Sequence, residues 1–200
     1  MPAGNRFAED SPLCLAFANT AGFHALADRH ETLGSFDALI QWAVEAGTLP
    51  RRDGRRLLQQ GDDHARELLG RAVALRDALQ SLFSRIARKR PPSLPALETV
   101  NRELGNAMRH ATIVAAGGAY RWSWERSESA ERLLWPVVGN AADLLASPLL
   151  ERLRECSGRD CSRLFIDRSR NGSRRWCSME GCGNRAKVRR HYRRMKQIGS

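Results

Sequence analysis

Four of the five cysteines lie between residues 156 and 182, in two pairs of equal spacing, and this arrangement limits the chain more than any other feature. The pairs read Cys156-Ser-Gly-Arg-Asp-Cys161 and Cys177-Ser-Met-Glu-Gly-Cys182, with fifteen residues between them. A short turn inside each pair can bring its two sulfurs onto one ion, and two such pairs complete a closed four-thiolate zinc site. A closed tetrahedron keeps no position for a substrate water, so the expected ion is one structural zinc. Two disulfides of a small secreted module are the competing reading. No signal segment is recognisable in the sequence and Cys14 lies far from the other four, which favours the metal.

Between the pairs, Leu164-Phe165-Ile166 is a short apolar run and Asn171-Gly172 a hairpin-turn dipeptide, so Ser173-Arg174-Arg175-Trp176 is expected to return as a second strand. After Cys182, Gly183-Asn184 opens a helix from about Asn184 to Gln197. In it Val188, Tyr192 and Met195 share one face; Arg185, Arg189 and Arg193 lie beside them, and Arg190 and Arg194 form a second basic row. Knuckle, hairpin, second pair, helix is the order of a treble-clef-like finger.

The literal sequence here also matches a known pattern. Cys182-Gly183-Asn184-Arg185, preceded by the run from Ser169 to Met179, resembles the CGNR zinc finger family over about the last fifty residues. The resemblance implies a C-terminal zinc finger of a bacterial protein that binds nucleic acid and regulates transcription.

Charge points the same way. Residues 151–200 hold 15 Lys and Arg against 5 Asp and Glu, whereas residues 1–150 hold 18 against 17, so nearly all of the net +11 lies in the last quarter. Four thiolates on a dication leave two negative charges, so the loaded finger carries about +8. That suffices for a phosphate-binding surface. Thirty of the 33 basic residues are Arg. Arg174, Arg175, Arg185, Lys187, Arg189, Arg190, Arg193 and Arg194 are the candidate nucleic-acid contacts, with guanidinium forks suited to phosphate or guanine edges.

The preceding residues read as a helical domain. Leu13-Cys14-Leu15-Ala16-Phe17-Ala18-Asn19-Thr20 is a compact apolar run, either a buried helix or a short strand, with Cys14 as a small buried hydrophobe. It resembles the opening of the ABATE domain, which accompanies the CGNR finger in a family described as stress-induced transcription regulators. That opening usually reads LCLDFVNT; here Ala16 and Ala18 replace its acidic and branched positions. His24 and His30 suggest surface loop histidines, with a second metal held alongside Asp28 or Glu31 as the alternative.

Ser35 caps a helix with an apolar stripe of Phe36, Leu39, Ile40, Ala43 and Val44, ended by Gly47, and a short basic helix follows over about 51–60. The longest helix runs from about Asp62 to Arg88, with a Glu67–Arg71 pair on its surface, and Pro91-Pro92 ends it. Another runs from about Ser93 to Arg109. A hairpin near 112–125 then turns at Gly117-Gly118 and aligns Tyr120, Trp122 and Trp124 on one face, expected to pack against a helix or to stack on a ligand. Ser129 opens a last helix that Pro136 either kinks or restarts near Trp135, and residues 149–153 make a short helical turn.

The expected architecture is mainly α with a small β-hairpin: a helical domain over 1–148 and a zinc finger over 149–200. No phosphate-binding loop, nucleophile elbow or helix-borne metalloprotease motif occurs, so no enzyme is expected. No apolar run reaches the ~18 residues of a membrane span. The leading reading is a cytoplasmic zinc-finger regulator that binds nucleic acid, with DNA as the first candidate. Its helical domain would provide dimerisation or sense a small ligand. RNA binding, docking of an acidic protein, and redox or zinc sensing by the thiolates are the alternatives.

Overall fold

The computed structural model describes residues 11–21, 31–59, 62–124 and 129–198. Within these, seven α-helices and two antiparallel hairpins occur, which makes the protein mainly α. The run at Leu13–Ala18 is a helix, α1, with Cys14, Leu15, Phe17 and Ala18 fully buried. Six residues with no polar side chain cannot form a stable helix alone, and α1 persists because α4 and α6 cover it. Burial pushes the Cys14 thiol far above its ordinary range, so it acts as a hydrophobe.

Helix α2 (Phe36–Glu45) starts where Ser35 Oγ accepts the Ala38 N–H, and it ends before Gly47 at φ +74. Besides the expected stripe, Trp42 is buried, its ring 4.8 Å from Phe17. Helix α3 (Arg51–Leu57) leaves Arg51, Arg52, Arg55 and Arg56 exposed, and Gly54 lets it close on α2, since a Cβ there would sit 3.1 Å from Ile40 and Val44. Helix α4 (Asp62–Ala87) is the central strut, with Leu68, Ala72, Leu75, Leu79, Leu82 and Phe83 inward. Lys89 ends it in the left-handed region at φ 54, and the Arg90 N–H reaches back to the Arg85 carbonyl.

Helix α5 (Leu94–Met108) packs on α4 and carries the buried Glu103. Arg71 of α4 turns to Glu103 (2.8 Å) and Glu131 instead of the Glu67 suggested by local spacing. A buried carboxylate without a cation would be costly, and that need outweighs a weak surface pair.

The strands β1 (Thr112–Ala116) and β2 (Ala119–Ser123) pair across Gly117 and Gly118, both at positive φ as a two-residue primed turn requires. The aromatic row divides. Trp124 packs on Gly139 and donates its Nε1–H to the Ala107 carbonyl, whereas Tyr120 and Trp122 are 81% and 45% exposed. Packing against a helix is therefore wrong for Tyr120 and Trp122. Ser129 caps a 3₁₀ turn at Ala130–Leu133, and α6 (Trp135–Leu145) restarts with Pro136 in its first turn.

The last quarter begins with a 3₁₀ turn, Pro148–Arg152, and then a hairpin of β3 (Leu153–Glu155) with β4 (Leu164–Ile166). The expected strand over 173–176 does not form, and β4 pairs with β3 instead; the helical turn expected over 149–153 forms at Pro148–Arg152, and only Leu153 of it belongs to β3. Asp167 explains the difference. Its buried carboxylate accepts the Ser169 hydroxyl, the Ser169 N–H and the Arg174 N–H, so residues 167–174 wrap around it and cannot run back along β4. Asn171-Gly172 still turns, with Gly172 at φ +61, but it closes this loop.

Candidate metal centre and basic helix

The hairpin β3–β4 is built around the first cysteine pair. Cys156 follows β3, its N–H bonds to the Arg163 carbonyl, and Cys161 lies on the connection that returns to β4. Side chains alternate along β4: Leu164 and Ile166 enter the core of the helical body, while Phe165 turns to the cysteines. Cys177 follows the Asp167 loop. A wide turn, Met179–Gly183, then sets Cys182 just before α7 (Asn184–Ile198), and Ser178 Oγ caps it by accepting the Gly181 N–H.

The four sulfurs all lie within 4.8 Å of one another, with Cys161–Cys177 at 3.9 Å and Cys177–Cys182 at 3.8 Å. A tetrahedron with zinc–sulfur bonds of ~2.3 Å has edges of about 3.8 Å, whereas a disulfide needs about 2.05 Å. All five cysteines are free thiols. The site therefore fits one zinc ion held by Cys156, Cys161, Cys177 and Cys182, and excludes the disulfide reading in this fold.

The surroundings fit thiolates. Cys156 Sγ accepts the N–H groups of Gly158 (3.4 Å) and Cys177 (3.3 Å), and Arg185 Nη2 donates to Cys182 Sγ at 3.0 Å. Burial raises the Cys156 pKa, but those N–H groups reverse the effect and hold it below its ordinary value. Burial pushes Cys161 up to about 11 and Cys177 higher still, each further opposed by its neighbours' charge. Cys161 and Cys177 do not ionise beside a charged Cys156 without a cation, and a dication at the centre of the cluster supplies the missing charge. Two glycines make room: a Cβ at Gly158 would lie 3.0 Å from Cys182 Sγ, and one at Gly183 would lie 2.9 Å from Met179 Sδ. In Cys182-Gly183-Asn184-Arg185 the first residue is thus a ligand. The second clears space for the turn, the third opens α7, and the fourth secures the ligand.

Residues 11–148 match the ABATE family, described as "Putative stress-induced transcription regulator". The chain belongs to this family. Residues 152–195 match the CGNR zinc finger, in the same N- to C-terminal order as the helical body and the thiolate site. No curated protein matches the chain. Neither description names an enzyme, and no described helix is long and apolar enough to cross a membrane.

The candidate basic contacts fall into three groups. Arg174 and Arg185 have work inside the finger: Arg174 donates to the carbonyls of Trp176 (3.0 Å) and Cys177 (2.5 Å) and lies 4.8 Å over the Phe165 ring. Arg175 (over Trp176 at 5.3 Å), Lys187 and Arg190 are exposed, and Arg189 is half-buried. Arg193 and Arg194 lie on α7 with their side chains outside the described residues. His24, Asp28 and His30 are also outside them, while Glu31 is engaged by Arg76 and the Leu33 N–H. Among the described residues, the metal-competent cluster is the four cysteines.

Sequence reasoning missed a seam that fastens this site to the ABATE body. Asn19, at the end of α1, donates to the Leu164 carbonyl (2.9 Å) and accepts its N–H (2.8 Å). From α4, Gln80 donates to the Ser162 carbonyl, while Ser84 (2.7 Å) and Arg88 (2.8 Å) hold Glu155. These partners are 67 to 145 residues apart in sequence, and no local pattern reveals them. The one available signal was Asn19 itself, a polar residue closing an apolar run.

Proposed function

We propose that this protein is a cytoplasmic, non-enzymatic transcription regulator that binds DNA through its zinc finger, with the ABATE body as a sensing or dimerisation domain. The observation that carries the reading is α7. Over Asn184–Ile198 it holds seven Lys and Arg and no Asp or Glu, and its main packing partner is the zinc-site turn. Zinc acts here by folding: it fixes the turn from which α7 projects, and Arg185 locks the helix start to a ligand.

A cationic helix held at one end is able to enter a groove or lie along phosphates. Arg175, Lys187, Arg189, Arg190, Arg193 and Arg194 are the proposed contacts, and Arg174 and Arg185 support them from within the finger. Binding to random duplex DNA measured against salt tests the reading. The affinity is expected to fall with a log–log slope of roughly −4 or steeper, and the Arg189→Ala/Arg193→Ala variant is expected to flatten it by about 2. Salt-independent binding, or an unaltered slope in the variant, would sink it.

A further inference from the structure

Charge does not account for all of α7. Val188, Tyr192 and Met195 are 53%, 67% and 59% exposed, in a row about 10 Å long at i, i+4 and i+7. Helices that pack on a globular core carry an apolar stripe at least ~100° wide, whereas these three positions span only about 60°, the width of a narrow seam. Helical spacing places Arg185 and Arg189 along one border of the row and Lys187 and His191 along the other. A second copy of the chain would bring the same seven cations against them, with no acid on α7 in compensation. The complementary surface has a narrow apolar floor between anionic walls. The major groove of a duplex has that form: it admits one helix, its walls are phosphates, and thymine methyl groups project from its floor.

Resting on the DNA-binding reading above, we propose that Val188, Tyr192 and Met195 read thymine methyl groups in the major groove. The flanking Lys187 and Arg189 hold the phosphates, so affinity and sequence preference rest on different side chains of one helix.

The test uses the full zinc-loaded chain and two alternating duplexes, one with thymidine and one with deoxyuridine in its place. The exchange removes the methyl alone and leaves charge and hydrogen bonding as they were. The wild type is expected to prefer the thymidine duplex by roughly fourfold for each methyl it covers. The Val188→Ala/Tyr192→Ala/Met195→Ala variant is expected to lose most of this preference while keeping its zinc and its salt slope. All three positions are exposed, so the fold does not depend on them. Equal wild-type affinity for the two duplexes, or an unaltered preference in the variant, would overturn the inference and leave DNA binding standing. Failure to bind either duplex or random DNA would overturn both. Stripe-dependent binding of an acidic amphipathic peptide, without thymidine preference, would assign this face to a protein partner and also overturn it.

Discussion

The ABATE body buries Leu15, Phe17, Leu75, Leu79, Phe83 and Trp135 almost completely, whereas the finger's own buried cluster is Phe165 with Cys156, Cys161 and Cys182. One region is closed by apolar area and the other by sulfur around an ion. A segment of about fifty residues with so small a core does not hold together by burial, and the metal supplies the missing stabilisation. The boundary between the two regimes runs through a single strand. Leu164 and Ile166 of β4 belong to the body's core, and Phe165 belongs to the metal's. Removing the ion should therefore loosen the outer part of the finger while β3 and β4 keep an anchor on α1 and α4.

The largest effect that would sharpen this contrast is expected at the ligands. Cys161→Ser should abolish stoichiometric zinc in the purified protein, while Cys14→Ser should leave it intact; metal analysis decides between them. The same site carries a pH dependence. Burial has raised Cys161 and Cys177, which must lose their protons to bind zinc. Loading therefore releases protons, and apparent zinc affinity is present at neutral pH and weakens steadily as pH falls. A competition titration with a chelator across pH reads this directly, and an affinity that does not change would contradict it.

Next in size is the body. Phe83→Ala, at a fully buried ring of α4, should cost about 3–5 kcal/mol in denaturant unfolding without lowering zinc content. Loss of zinc alongside would show that body and finger unfold as one unit.

The seam follows. Asn19→Ala leaves the Leu164 N–H and carbonyl without their partners and should cost about 1–3 kcal/mol. It should also raise amide exchange in β4 before the rest of the body is affected.

The smallest effect is expected at Asp167. Burial works against its charge, but the bonds from Ser169 and the Arg174 N–H hold its pKa below the ordinary carboxylate value. A lowered folded pKa stabilises the protein above about pH 4 and is lost as the pH falls through the folded value. Asp167→Asn should remove about 1 kcal/mol at neutral pH and flatten this acid limb.

Local signals in the sequence proved reliable where local physics decides. The cysteine spacing gave the thiolate site, Ser35 and Gly47 bracketed α2, Gly117-Gly118 gave the β1–β2 turn, and Pro136 marked the start of α6. They failed where a distant partner decides. Leu164-Phe165-Ile166 was readable as a strand, but its neighbour was chosen by Asp167, whose bonds withdraw residues 167–174 from pairing. Arg71 was readable as a surface partner of Glu67, yet Glu103 and Glu131 claim it. Tyr120 and Trp122 were aligned by strand period, but period cannot say whether a helix lies opposite, and among the described residues none covers them. The basic helix was legible as charge. That its apolar row would stand uncovered was not, because α7 packs mainly on the turn preceding it.

The most direct test of the central claim, that zinc fixes a helix for DNA, is binding to random duplex DNA before and after metal removal. Zinc-loaded protein should bind with strong salt dependence. Chelation should abolish binding while the helical signal of the body persists, and added zinc should restore it. Binding that is indifferent to the metal would contradict the account.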